Sequence, residues 1–110
     1  MSIMRIYIGH NIGDEPMSDE RVLTAIKNAS AARSIDALTL IPATGMWLGE
    51  LEQSTIVEVC NPLNSANVYL MAIDLAKTLE QECVGVAYND RFELVYPNDE
   101  LAPLYERFAS

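Results

Sequence analysis

The apolar pattern of the helix predicted after Asn64 limits most strongly what this chain can fold into. Its apolar residues recur at the spacing of one helix face, so they need a sheet or another helix to cover them. An earlier helix is predicted at Asp19–Arg33, after an N-cap at Ser18 and with acidic residues in its first turn. The stripe of the later helix comprises Val68, Met71, Ala72, Leu75, Ala76 and Leu79.

Short β-type segments surround both helices, and prolines or turn residues bound them. Pro42 is expected to stop the second strand, and Pro97 the last one. A short helix is expected after Pro97. The predicted strands are Arg5–Ile8, Asp36–Ile41, Gln53–Cys60, Cys83–Tyr88 and Phe92–Tyr96, the helix after Asn64 is expected to reach about Glu82, and the terminal helix is Leu101–Phe108.

The order β-α-β-β-α-β, with one further hairpin strand, predicts an α+β fold. It is the order of the ferredoxin-like split βαβ sandwich, an antiparallel sheet with helices on one face. The length predicts a single domain over residues 1–110, with 97–110 as a short tail or helix. Because the second sheet face would be open, we expect a homo-oligomer.

The net charge is −9, from 16 acidic and 7 basic residues. A nucleic-acid binder needs a basic patch, so this balance disfavours one. It favours cationic ligands or basic protein surfaces, although simple solubility explains it equally well. No apolar run approaches the roughly 20 residues of a membrane span. Residues 1–8 lack the pattern of a secretory signal, so we expect a cytoplasmic protein with no membrane partner.

Few residues offer catalytic chemistry. Cys60 and Cys83 lie in apolar strand-like segments without a CxxC motif, so we expect core thiols in a reducing compartment and no metal site. The one histidine, His10, follows the first strand and is expected to be an ordinary loop residue. The sequence contains neither the pattern of a nucleophilic triad nor that of a phosphate-binding loop.

Four carboxylates are harder to explain as surface charge, those of Glu50, Glu52, Glu80 and Glu82. Glu80 and Glu82 stand where a helix passes into an apolar strand, at the end of the helix dipole that disfavours negative charge. Glu50 follows a turn that contains Gly45 and Trp47. If the strands are neighbours, these groups converge on a cleft suited to a cationic small molecule. The alternative is that Glu80 and Glu82 are exposed residues at a helix end.

Several stretches together resemble the S-adenosylmethionine-cleaving enzymes of bacteriophages, formerly described as hydrolases and now as lyases. The resemblance covers roughly residues 3–96. Its sharpest parts are the helix-to-strand segment 80–84 and the strand end Leu94-Val95-Tyr96. The stretches are MSDERVLTAIKNA at 17–29, TGMW at 44–47 with GE at 49–50, TIVEV at 55–59, EQECVGVAYND at 80–90 and LVY at 94–96.

The resemblance implies a ferredoxin-like trimer with active sites at subunit interfaces. The substrate would be S-adenosylmethionine, and the products would be methylthioadenosine and homoserine lactone. This cleavage would deplete the methyl donor of the host. The family's glutamate pair would fall at Glu50 and Glu82, with Glu80 as the rival for the second place. A ligand-contacting aromatic residue would be Trp47, Tyr88 or Tyr69.

The chemistry suits such a sparse set of residues. The substrate's own carboxylate can attack its γ-carbon and expel the sulfonium as a neutral thioether, so the enzyme has only to position it. No cofactor is then expected. Direct hydrolysis, with a glutamate activating water, is the alternative mechanism. Two other classes of protein stay open: a non-catalytic ligand sensor, and an acidic inhibitor that binds a basic protein surface.

Overall fold

A computed structural model of the chain describes residues 2–109, so Met1 and Ser110 of the predicted domain lie outside the described residues. Strands and helices follow the predicted order. The first loop also contains a short hairpin whose two strands have two residues each. The elements are β1 Ile3–Gly9, β2 Asn11–Ile12, β3 Glu15–Pro16, α1 Asp19–Ala32, β4 Thr39–Trp47, β5 Glu50–Cys60, α2 Ser65–Thr78, β6 Val84–Tyr88, β7 Arg91–Val95 and α3 Leu101–Ala109.

The main sheet is antiparallel throughout, in the order β4-β5-β1-β6-β7. β1 therefore lies in the centre, and Tyr7 on it pairs with Ile56 on one side and Gly85 on the other. Without β7, this is the strand order of a split βαβ sandwich. The predicted α+β fold is confirmed, and β7 extends the sheet as the second strand of a hairpin.

The core lies between this sheet and the helices. Alternate residues of β1, namely Met4, Ile6 and Ile8, are fully buried, which places α1 and α2 on that face of the sheet. Every residue of the α2 stripe is buried there as predicted. The apolar spacing of a helix and the alternation of a strand thus identify the same interface from its two sides.

The hairpin formed by β4 and β5 is longer than predicted. β4 runs through Pro42 to Trp47, and β5 begins at Glu50 rather than Gln53. β4 is an edge strand, so Pro42 needs no partner on its outer side and does not end the strand. Only Leu48 and Gly49 form the turn, with φ values of 51° and 80°, the positive values that a two-residue hairpin of this type requires.

The second helix ends earlier than predicted. α2 stops at Thr78, Leu79 caps it, and Glu80 has a φ of 51°, which the helix cannot continue through. The Gln81 side chain donates from Nε2 to the Asn11 carbonyl at 2.9 Å. This bond fixes the start of the connection to β6 at the end of the sheet where β1 stops.

The cysteine prediction was wrong for Cys60. It is exposed, because it lies on the face of β5 opposite the helices and near the strand end. Cys83 is half-buried. Burial is the main effect that raises the pKa of the Cys83 thiol, and the Glu82 carboxylate adds to it.

Candidate functional site

The β4–β5 hairpin projects beyond the rest of the sheet. The last strand pair between β1 and β5 is Gly9 with Ser54, and the His10 N–H still donates to the Gln53 carbonyl at 2.9 Å, so residues 50–52 have no backbone partner on this side. Three residues of strand correspond to a projection of roughly 10 Å. This arm carries several of the residues singled out in the sequence.

Trp47 and Glu50 form a directly opposed pair across the base of the turn. The register places both on the sheet face that the helices leave uncovered, the face that also carries Tyr7 and Ile56. Both side chains are exposed, and 56% of the Trp47 surface is accessible. An indole face beside a carboxylate is an arrangement that attracts organic cations.

Glu52 joins this pair; it was one of the four carboxylates singled out in the sequence, but it was given no predicted role in the site. It lies two residues after Glu50 and therefore on the same face of β5. Its carboxylate lies over the backbone of Gly9, where a Cβ would come within 2.6 Å of Oε1. The i, i+2 spacing of two glutamates in a strand was the signal that could have indicated it.

Glu80 and Glu82 have different surroundings. The Glu80 carboxylate forms an exposed ion pair with Arg21 of α1 at 3.1 Å. Glu82 is exposed, and no ion pair joins it to another of the residues in the range 2–109. Arg21 therefore partly neutralises the charge of Glu80, whereas the charge of Glu82 has no such partner among these residues.

These carboxylates lie at the same end of the sheet but not on adjacent strands. β1 separates β5, which carries Glu50, from β6, which follows Glu82. Two strand spacings amount to about 10 Å. Within one described chain, Glu50 and Glu82 therefore stand on opposite sides of the end of β1.

Tyr69 and Tyr88 lie at the other end of the sheet, since Tyr88 pairs with Met4 near the start of β1. Tyr69 is fully buried, and its ring packs edge-on against Tyr88 and Tyr105, with centroid distances of 6.3 and 5.1 Å. Burial raises the pKa of the Tyr69 hydroxyl above its ordinary range. This packing attaches α3 to α2 and β6.

A cleft of about 590 Å³ separates the first turns of α1 from the helix-facing side of the β4–β5 hairpin. His10 lies at its base and is only 5% exposed, so the prediction of an ordinary loop residue was wrong. Its Nε2 lies 2.7 Å from Thr55 Oγ1, and its Nδ1 lies 3.3 Å from Asp19 Oδ1. Because Thr55 is 45 positions away in sequence, this burial was not visible in the local pattern.

Two further properties concern the chain as a whole. Over residues 2–109, no helix combines the length and the apolar character that a membrane crossing needs. Within the same range, histidine, cysteine and acidic side chains form no group of three or more that could hold a metal ion.

Comparisons with protein-family models and with curated proteins find no match. Two solved structures are similar. A phage SAM lyase in complex with S-methyl-5′-thioadenosine has a TM-score of 0.70 and 19% identity, covering 86% of this chain and 88% of that chain. A phage SAM lyase in the apo state has a TM-score of 0.70 and 18% identity, covering 90% and 91%. The chain therefore has the fold of the phage SAM lyases.

Proposed function

We propose that this protein cleaves S-adenosylmethionine to methylthioadenosine and homoserine lactone. The observation that carries the proposal is the likeness of fold, over 86% of this chain, to a phage SAM lyase that holds S-methyl-5′-thioadenosine. An exposed tryptophan paired with a glutamate on the β4–β5 hairpin supports it independently, because the substrate is a sulfonium cation.

The reaction needs little from the protein beyond the positioning of the substrate. A substrate carboxylate oxygen forms a bond to Cγ, the Cγ–S bond breaks, and its electron pair neutralises the sulfonium. No proton moves in this step. A carboxylate about 4 Å from a cationic group attracts it by about 4 kcal/mol at an effective dielectric of 20, before desolvation. Such groups can hold the methionine part in the folded conformation that attack requires.

We assign the cation-binding role to Glu50 and Glu82, and the aromatic contact to Trp47. Glu80 is the weaker candidate for the second glutamate because Arg21 already pairs with it. Since β1 separates Glu50 from Glu82 within a chain, we propose that sites form between copies in a trimer. In a phage-infected cell, the reaction would act in the host cytoplasm and lower the supply of methyl donor for restriction and modification.

Incubation of the purified protein with S-adenosylmethionine in ¹⁸O-water tests the reaction. Methylthioadenosine should appear by mass spectrometry, with homoserine lactone before homoserine. Opening of the lactone at its carbonyl places ¹⁸O in the homoserine carboxylate, whereas direct hydrolysis at Cγ places it in the hydroxyl. Recovery of intact S-adenosylmethionine would refute cleavage, and tight binding without turnover would indicate a sensor.

Single amide substitutions test the residue roles. Glu50→Gln and Glu82→Gln should each lower kcat/KM at least tenfold, which corresponds to about 1.4 kcal/mol of lost transition-state stabilisation. Glu106→Gln, an exposed substitution of the same kind on α3, is the matched control and should leave turnover unchanged. Turnover of Glu50→Gln equal to that of the control would remove Glu50 from the site.

A further inference from the structure

We propose that the cleft between α1 and the β4–β5 hairpin binds a primary ammonium group carried on a small apolar body. The cleft holds about 590 Å³. Leu23 of α1 and Pro42 of β4 contribute apolar walls, and Asp19 and Glu20 contribute carboxylates from the first turn of α1. This combination suits a ligand with an apolar stem and a positively charged head.

The imidazole of His10 indicates where the head would lie. The residue is only 5% exposed, and its Nε2 is occupied by Thr55 Oγ1 at 2.7 Å. Nδ1 makes no hydrogen bond with any residue in the range 2–109, although Asp19 Oδ1 lies 3.3 Å from it. A buried nitrogen in this state carries a desolvation cost until a ligand or solvent satisfies it.

An ammonium group satisfies this geometry better than other head groups. When Nε2–H donates to Thr55, Nδ1 presents a lone pair, so Nδ1 and the Asp19 carboxylate are two acceptors 3.3 Å apart. Nδ1 is covered in this arrangement, so an ammonium nitrogen would reach it as the exposed Asp19 side chain rotates outward, and it would then donate one N–H to Nδ1 and another to the Asp19 carboxylate. An anion would instead meet two carboxylates, and an apolar group would leave Nδ1 unpaired.

Two sources can supply this chemistry. One is the methionine part of S-adenosylmethionine, an assignment that rests on the proposed function and leaves the sulfonium, rather than the ammonium, to Glu50 and Glu82. The other is a free aliphatic amine that binds as an effector. The cleft is lined by neither Glu50 nor Glu82, so an amine bound there would lie on the helix-facing side of the hairpin.

Nuclear magnetic resonance of the imidazole gives a direct readout, because His10 is the one histidine of the chain. Butylamine titrated at constant pH should shift the His10 ring signals and reach saturation at millimolar concentration. 1-Butanol, which has the same stem without the charge, should not. A carbon analogue of S-adenosylmethionine, which keeps the ammonium but cannot be cleaved, forms the second arm.

Asp19→Asn removes the negative charge of the one charged acceptor of the pair, and its 84% exposed side chain makes the change compatible with folding. It should weaken butylamine binding at least tenfold. Asp90→Asn, an exposed substitution in the turn between β6 and β7, is the matched control and should bind as the wild type does. Thermal unfolding of both variants verifies that they are folded.

The titrations with butylamine and with the carbon analogue distinguish the two sources of the ammonium group. A saturable shift with the carbon analogue, with butylamine as a competitor, supports the substrate as the source. A shift with butylamine alone supports a free amine. If neither compound shifts the His10 signals, or if Asp19→Asn binds as well as Asp90→Asn, the site is refuted, whether or not the protein releases methylthioadenosine.

Discussion

At the scale of single residues, the contact between Asp99 and Arg107 joins α3 to the end of β7. The two groups pair at 3.0 Å, Asp99 accepts a hydrogen bond from the Tyr96 backbone at 2.8 Å, and Arg107 donates to the Leu94 carbonyl. Partial burial, the largest single effect, acts to raise the pKa of Asp99, but these hydrogen bonds and the Arg107 charge outweigh it. The pKa of Asp99 is therefore below its usual 3.8.

A lowered carboxyl pKa stabilises the fold at pH values above the unfolded-state pKa, and the stabilisation is lost as pH falls through the folded-state value. Asp99→Asn should thus lower the free energy of unfolding by about 1.5–3 kcal/mol at pH 7, as for a hydrogen bond to a charged group. The difference from wild type should shrink below pH 3.8, the usual value. Urea unfolding at both pH values measures it, and an equal difference at both would contradict the assignment.

How much a residue's surroundings could be predicted depends on where its partners lie in the sequence. The N-cap role of Ser18 depends on Arg21, three positions away, and the prediction was confirmed. The pairing of Glu80 with Arg21 joins residues 59 positions apart, and no local pattern indicates it. Charge type and helix position are local properties, whereas ion pairs and burial are set by the packing of distant segments.

At the scale of elements, periodicity predicted which segments are helices and which are strands, but it did not predict where several of them end. The strand β4 continued past Pro42 because the strand order made it an edge strand, and strand order is not a property of the segment itself. α2 stopped at Thr78 because Glu80 takes a left-handed conformation, which its residue type does not favour. In both cases the wider fold decided the boundary.

The turn of the β4–β5 hairpin carries a residue poorly suited to it. Leu48 has a φ of 51° and is 88% exposed, whereas asparagine adopts this conformation at lower cost. Leu48→Asn should therefore stabilise the chain by about 0.5–1 kcal/mol. Thermal or urea unfolding at a protein concentration low enough to keep both chains monomeric checks this.

The same substitution tests the proposed association between copies. Leu48 lies beside exposed Met46 and Trp47, so an apolar contact with a second copy would explain a leucine at this strained position. Leu48→Asn should then weaken association measured by sedimentation equilibrium, while Leu63→Asn, which changes a fully exposed leucine outside the hairpin, should not. An unchanged association constant would exclude the hairpin tip from the interface.

At the scale of the whole molecule, one face of the sheet is covered by helices and the other is not. The uncovered face combines apolar side chains with a central ion pair between Arg5 and Glu58 at 2.8 Å. Phe92 packs edge-on against Tyr7 there, with 59% of its surface exposed. A mixed face of this kind is compatible with burial between copies, and it is continuous with the Trp47–Glu50 pair on the hairpin.

The net charge of −9 has a consequence for encounter with a cationic substrate. S-adenosylmethionine carries a net positive charge near neutral pH, so the field of the protein should accelerate its approach. Salt screens this attraction, because the Debye length falls from about 30 Å at 0.01 M to about 3 Å at 1 M. We therefore expect kcat/KM to fall by a few-fold to about tenfold over this range.

The neutral product methylthioadenosine separates steering from general effects of salt on the fold. Its inhibition constant should change less than about twofold over the same range, because an uncharged nucleoside gains little from the long-range field. Glu50→Gln should reduce the salt dependence of kcat/KM if its carboxylate meets the cation directly, and Glu106→Gln should reduce it less. Equal salt dependence for the cation and for the neutral nucleoside would show that the acidic surface serves solubility rather than substrate capture.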